Sequence, residues 1–554
     1  MNQRIVLSLI GLLLVLLVAL SQQASVTLTQ GIYIGNQTSD GQLNYWYGIP
    51  YAQQPIGSLR WKPPQPLSAS TNVNIANYKV VCPQNLNLGI QQSEACLYLN
   101  VYSPVNANNL PVFIWIHGGA FTIGSSLQFD PSDWMSIASN NSLPIVMVTI
   151  NYRLGLLGFL ADTELFNENS GENGKKTTGN YGLLDQIHAI KWVKENIAKF
   201  GGNPNLITVG GQSAGGFTTR ALLTSPLVVE SQLFQRAMVS SGSIWFSSDL
   251  FSMEKAINST GNYVRSNQSC TTVQCLRDVS VSTLLLLTSN IVPKNILTNA
   301  ANPIVDGYVL TDTPDNNFAK GYFLKVPLII GTVSNETTYF TCPLFNYYAS
   351  VSQVENFLTA QYGSSIFSKI VQFYGPVPST QSIQYLNNVF NDAAFRCSSR
   401  RDSVQYANRG IPSYLYNFNR NLISNQCLGV YHGLDLVFLF PAFSPYGLFG
   451  VDKILSKQMI LYWTNFIVSG NPNYNNSPSQ WNSYSTLKDN ELSIDLTSQQ
   501  VTITSIDVCT QFWDKLAVTY SPSISNSSFV NGATRIIPYR FIVLLVAIVM
   551  IVIP

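Results

Sequence analysis

Five apolar runs stand out along the chain: LPVFIWIH at 110–117, PIVMVTI at 144–150, LITVGG at 206–211, RAMVSSG at 236–242 and VPLIIGT at 326–332. They are too continuous for strands with one wet face, so they predict buried, largely parallel strands. Between them Leu183, Ile187, Ile190, Val193 and Ile197 recur at intervals of four and three, with Lys191, Lys194 and Lys199 interspersed. That period predicts a helix covering the sheet. Buried strands alternating with amphipathic helices define an α/β class, a large central, mostly parallel sheet with helices on both faces. The active site is then expected where loops leave the carboxyl ends of the strands.

Both termini are apolar, in different ways. Residues 1–21 run from Arg4 through a leucine-rich core to Ala19-x-Ser21, which predicts a signal peptide and a mature start near Gln22, with an uncleaved anchor as the alternative. At the other end, Phe541 to Pro554 is an uninterrupted apolar tail of 14 residues, shorter than the ~20 a membrane span needs. Residues 522–540 form a polar spacer holding the small triplets Asn526-Ser527-Ser528 and Asn531-Gly532-Ala533. This pattern predicts a glycosylphosphatidylinositol anchor with the tail removed, at the cell surface or in a secretory vesicle. A retained helix starting at Ile536 competes with it, and would have to hold Pro538 and Arg540 in lipid. Between the ends, residues 25–521 read as one domain.

Composition narrows the partners. A net charge of +2 with 10% charged residues offers no basic footprint for nucleic acid. The eight cysteines are even in number and contain no CxxC pair, which fits disulfides in an oxidising compartment. Sequons at Asn36, Asn140, Asn258, Asn267, Asn335, Asn475 and Asn526 fit the same compartment as N-glycosylation candidates.

Candidate chemistry centres on Gly211-Gln212-Ser213-Ala214-Gly215, a G-x-S-x-G sequence between a predicted strand and a predicted helix. It reads either as a nucleophile on a sharp turn or as a helix cap in a glycine-rich turn. A serine nucleophile needs a base, and there are three histidines. His117, in HGGAF directly after a strand, belongs to a loop whose backbone N–H groups can face an oxyanion. His188 falls inside the amphipathic helix, as a structural residue. His432, in the glycine-flanked GVYHGLDLVF, is the best base. Glu336 follows the strand VPLIIGT and ranks first as the orienting acid, with Asp306 and Asp435 as alternatives. The order Ser213, Glu336, His432 is that of an α/β-hydrolase triad.

These residues, together with YWYGIPYAQQPIGSLRWKPPQP (45–66), EACLYLNVYSP (94–104), NYRLGLLGFL (151–160), the segment 179–216, PIVDGYVLTDTP (303–314) and FIVSGNPN (466–473), make the chain resemble the type-B carboxylesterase and cholinesterase family over nearly all of its mature length. The resemblance implies the α/β-hydrolase fold and a serine esterase that needs no metal or organic cofactor. It assigns Ser213 as nucleophile, Glu336 as acid and His432 as base, with Gly118, Gly119 and Ala214 as oxyanion N–H donors. It also implies the pairs Cys82 with Cys96, Cys270 with Cys275, and Cys397 with Cys509, leaving Cys342 and Cys427 to pair or stay free.

The departures point toward a general esterase acting on a small-molecule ester. The loop CPQNLNLGIQQSEAC lacks the tryptophan on which cholinesterases stack choline, which disfavours an acetylcholinesterase. Ala95 replaces a family aspartate, while Glu94 is kept to pair with Arg60. Asn335 replaces another family aspartate and makes Glu336 part of a sequon, predicted to be unmodified. Gln212 stands where the family carries glutamate, so one negative charge near the base is missing, and activity is expected to reach further into acid. A surface adhesion or vesicle storage protein is the competing class, since the family's fold also serves adhesion.

Overall fold

The five apolar runs lie side by side. The computed structural model describes residues 24–168, 174–243, 252–291, 302–422, 427–443, 447–502 and 508–519. Its strands are β1 (Ser25–Leu28), β2 (Gly31–Ile34), β3 (Asn36–Gln37), β4 (Leu43–Pro50), β5 (Val73–Ile75), β6 (Tyr98–Pro104), β7 (Leu110–Ile116), β8 (Val146–Ile150), β9 (Gly202–Gln212), β10 (Arg236–Ser240), β11 (Leu328–Val333), β12 (Ser413–Phe418), β13 (Asn490–Ile494) and β14 (Gln499–Thr502). Among the described residues, eleven of these form one sheet in the order β14-β13-β12-β11-β10-β9-β7-β8-β6-β4-β3. From β8 to β13 every neighbouring pair is parallel, and β6, β4, β3 and β14 add antiparallel edges. β1, β2 and β5 make a separate small sheet.

Continuous apolar runs are required because both faces of the centre are dry. Successive side chains of a strand point to opposite faces. Val112, Ile114 and Ile116 of β7 join Val148, Ile150 and Val209 in one core, closed by Leu183, Ile187, Ile190 and Val193 of the helix Tyr181–Asn196. Phe113 and Trp115 join Met147, Met238 and Ile329 in the other, closed by Met459, Ile460, Trp463 and Ile467 of the helix Gly450–Ser469. Each such side chain contributes roughly 1.5–3 kcal/mol when fully buried. The two helices hold the sheet between them, and this fixes where its carboxyl ends emerge.

Four disulfides close the fold: Cys82–Cys96, Cys270–Cys275, Cys397–Cys509 and Cys342–Cys427. The last joins the two cysteines the family pattern leaves over. Arg60 holds Glu94 through two hydrogen bonds of 2.5 and 2.6 Å. The expected signal peptide, the spacer with Asn526 and Asn531, and the apolar tail lie outside the described residues. Among the described residues no helix is long and apolar enough to cross a membrane.

Candidate active site

β9 ends at Gln212 and the helix Ala214–Thr224 starts at Ala214, so Ser213 alone turns the chain. Its φ of 57° and ψ of −124° lie in a region that costs a residue with a Cβ on the order of 1–3 kcal/mol. Packing that only glycine permits holds the turn there. A Cβ on Gly215 would stand 2.0 Å from the Ile116 carbonyl oxygen, and one on Gly211 would stand 2.5 Å from the Gly215 carbonyl carbon. The Ser213 N–H donates to the Ser240 carbonyl at 3.0 Å. Its side chain makes no capping hydrogen bond, so the helix-cap alternative has no support in the fold.

The loop after β7 packs directly on this turn. A Cβ on Gly118 would lie 2.7 Å from the Gln212 carbonyl oxygen and 3.0 Å from Ser213 Cβ. The His117 Nδ1 stands 2.8 Å from the Gly118 carbonyl oxygen. In a trans peptide the carbonyl and the following N–H point opposite ways, so this contact turns the Gly119 N–H away from His117. Gly119, at φ 110°, accepts the Thr122 and Ile123 N–H groups at 3.0 Å each through its carbonyl. Ala214 opens its helix, and its N–H has no acceptor within that helix.

The three histidines separate cleanly. His117 is buried and stacked on Tyr152 with centroids 4.5 Å apart, and burial pushes its imidazole down to about 4. It is a neutral structural ring. His188 lies on the sheet-covering helix, its ring 6.4 Å from that of Tyr51. His432 Nδ1 stands 2.5 Å from Glu336 Oε2. Glu336 is fully buried, and its other oxygen accepts the Val333 N–H at 2.9 Å.

Both alternative acids have other partners. Asp306 Oδ1 accepts the N–H groups of Tyr308, Val309 and Leu310 at 3.1, 2.8 and 3.1 Å, and Oδ2 accepts the Thr177 hydroxyl at 2.7 Å. It organises its own loop, and burial raises its carboxyl. Asp435 accepts the Tyr416 hydroxyl at 3.0 Å. Burial, and then the nearby Glu336 charge, push Asp435 up to about 6.

Gln212 completes the arrangement, with its Nε2 lying 3.2 Å from His432 Nε2. A neutral imidazole that donates from Nδ1 to Glu336 has its lone pair at Nε2, and the Gln212 amide is then the donor. The residue beside the serine therefore touches the nitrogen that would take the serine's proton. Phe340 and Phe395 flank the imidazole at centroid distances of 5.4 and 5.5 Å. No spacing in the sequence marks either phenylalanine, because each reaches the site through tertiary packing. Asp435 lay in view beside His432, but nothing local reveals that it is buried.

A serine on a strained strand-to-helix turn, at the carboxyl end of a central parallel strand and beside a His–Glu pair, defines a serine hydrolase of the α/β-hydrolase fold. Residues 22–513 match the model of the carboxylesterase family, and the chain belongs to that family. It is 30% identical over 506 residues to carboxylesterase 1D of Rattus norvegicus, covering 82% of this chain and 86% of that protein. It is 31% identical over 464 residues to the para-nitrobenzyl esterase of Bacillus subtilis (strain 168), covering 78% and 88%. A solved structure of a PNB esterase superposes with a TM-score of 0.74 at 27% identity, covering 87% of this chain and 98% of the other. The protein is a serine carboxylic-ester hydrolase.

Proposed function

We infer that Ser213 is the nucleophile, His432 the general base and Glu336 the acid that orients it. The observation carrying this reading is the 2.5 Å contact between His432 and Glu336, with the other imidazole nitrogen against the residue preceding Ser213. Ser213 Oγ attacks the ester carbonyl carbon as its proton passes to His432 Nε2, which first exchanges its Gln212 contact for the serine hydroxyl. The N–H groups of Gly118, Gly119 and Ala214 take up the negative charge on the carbonyl oxygen. The tetrahedral adduct expels the alcohol, which leaves with the proton from His432, and the acyl group stays on Ser213. Water then loses a proton to His432 and attacks the acyl carbon, and the second tetrahedral adduct collapses with release of the carboxylic acid as His432 returns the proton to Ser213 Oγ.

The Ser213→Ala variant tests this assignment. Wild-type protein should take up one organophosphate per chain at Ser213, and the variant none. Its kcat/KM on short-chain nitrophenyl esters should fall by roughly 10⁴-fold or more. Labelling of the variant at undiminished stoichiometry would identify a different nucleophile and sink the assignment.

Entry into the secretory pathway through residues 1–21 is supported by four disulfides, which persist in oxidising compartments. Asn140, Asn258, Asn267 and Asn475 are exposed and suited to carry glycans. Asn36 differs, since its Nδ2 is buried in the fold and leaves no room for a glycan. Asn335 is engaged through its Oδ1 by the Val430 N–H at 3.0 Å, in keeping with an unmodified side chain. The anchor reading for Asn526 or Asn531 stands on the tail's composition, and the mass and lipid content of the mature carboxyl-terminal peptide would decide it.

A further inference from the structure

The segment carrying Glu336 and the segment carrying His432 are joined at several points besides the ion pair. Asn335 and Tyr431 form an isolated parallel bridge. The Asn335 N–H donates to the Val430 carbonyl at 3.0 Å, and the Val430 N–H donates back to Asn335 Oδ1 at 3.0 Å. Asn335 thus grips Val430 with backbone and side chain at once. A turn further on, the Thr338 hydroxyl reaches the Leu428 carbonyl at 2.6 Å. Tyr339 lies nearly parallel to Tyr431, 5.8 Å between centroids and 18° between planes. At the far end Cys342, fully buried, is bonded to Cys427 across 85 residues of sequence.

We propose that Asn335 and the Cys342–Cys427 disulfide are positioning residues, forming a clamp that keeps the imidazole of His432 in register with Glu336 and Ser213. This rests on the catalytic reading above. Glu336 is set by its own surroundings, since Val333 and Asn391 hold it by hydrogen bonds of 2.9 and 3.0 Å. His432 sits in a loop between β12 and the short helix Leu436–Leu439, with no strand of its own. Its position is inherited from whatever ties the chain just before it to the Glu336 segment. The disulfide makes that tie covalent at one end, and Asn335 makes it two-pointed at the other. Loosening the clamp leaves the serine turn and the acid in place and lets the base drift. A misplacement of about 1 Å at a reacting group costs up to roughly 100-fold in rate.

The experiment compares the full-length Cys342→Ala/Cys427→Ala double variant with wild type and with Cys270→Ala/Cys275→Ala, whose cysteines join a different part of the core. All are assayed well below their melting temperatures. The clamp predicts a kcat lower by roughly 10- to 100-fold with KM nearly unchanged, and an equal slowing of organophosphate uptake at Ser213. The control should keep its kcat. If the Cys342/Cys427 variant loses melting temperature but keeps wild-type kcat, the disulfide is a staple only and the proposal falls. Should that variant not fold, Asn335→Ala and Asn335→Asp answer the same question. The alanine variant should lose kcat, and the aspartate, which keeps an oxygen acceptor for the Val430 N–H, should recover most of it. Unchanged kcat in Asn335→Ala, or equal loss in both, overturns the clamp. Wild-type protein that takes up no organophosphate at Ser213 would instead overturn the catalytic reading.

Discussion

Ser213 lies in a five-residue motif whose glycines pack on the ends of β7 and β10, whereas Glu336 and His432 meet across 96 residues of chain with no shared motif. The serine turn is marked by short-range sequence. Its glycines stand at fixed offsets after a buried strand, and contacts from β7 and β10 complete its packing. The acid–base pair is a long-range object, dependent on β11 and β12 lying side by side and on the ties between the two loops that follow them. The first is set among the central strands and is sheltered from change in distant loops. The second collects the consequences of such change, and that is where variants should separate activity from stability.

Among variants that keep Ser213, the largest effect should come from Glu336→Gln. It leaves the serine turn untouched and removes the carboxylate that receives the His432 Nδ1–H. A loss of ~10⁴-fold in kcat is expected, with little change in KM. Steady-state kinetics on a short-chain ester checks it, and a loss under tenfold would mean that another acid orients the imidazole.

Asp435→Asn probes the ground beneath the pair. Asp435 is faced by the Tyr416 hydroxyl, the Glu336 carboxylate and the His432 imidazole, and its carboxyl is raised from 3.8 to about 6, by burial first and then by the Glu336 charge. A raised carboxyl contributes stability that is fully present below pH about 4 and lost as pH rises through about 6. Asparagine does not ionise, so the variant should gain on wild type as pH rises across that window, by at most roughly 3 kcal/mol. Melting temperatures at pH 4 and pH 7 test this. A difference that does not vary with pH contradicts it.

Gln212→Glu touches both regions, since the residue adjoins Ser213 and lies 3.2 Å from His432 Nε2. A carboxylate there favours the protonated imidazole. The acidic limb of the pH–rate profile should move up by roughly one pH unit, so wild type works further into acid than the variant. An unmoved limb would show that the missing charge is without consequence.

How much of this was legible varied with range. The parallel centre of the sheet could be read because both faces of β7, β8, β9, β10 and β11 are buried, which forces unbroken apolar runs. β12 and β13 escaped notice, since SYLYNF and NELSI alternate or mix polar residues and resemble many surface segments. Ser213, the HGGAF loop and the rank of His432 followed from local context. Glu336 ranked first because it follows the strand VPLIIGT, and the family resemblance named it, but local context left Asp306 and Asp435 open, since each is a carboxylate in a loop and its partners in space distinguish it. The pairing of Cys342 with Cys427 was likewise open, as the cysteine count alone permits either fate.

The sequence by itself determined the α/β layering, the strand–turn–helix context of Ser213 with its glycines, and the ranking of His432 ahead of the other two histidines as candidate base. Those follow from period, sterics and elimination, which act within a few residues. Only the tertiary structure showed that Glu336, the acid the resemblance named, meets the imidazole, that Gln212 reaches its far nitrogen, and that Asn335 and a disulfide tie the two loops together. Such contacts join segments far apart in the chain, and they exist only once the strands have been set in order.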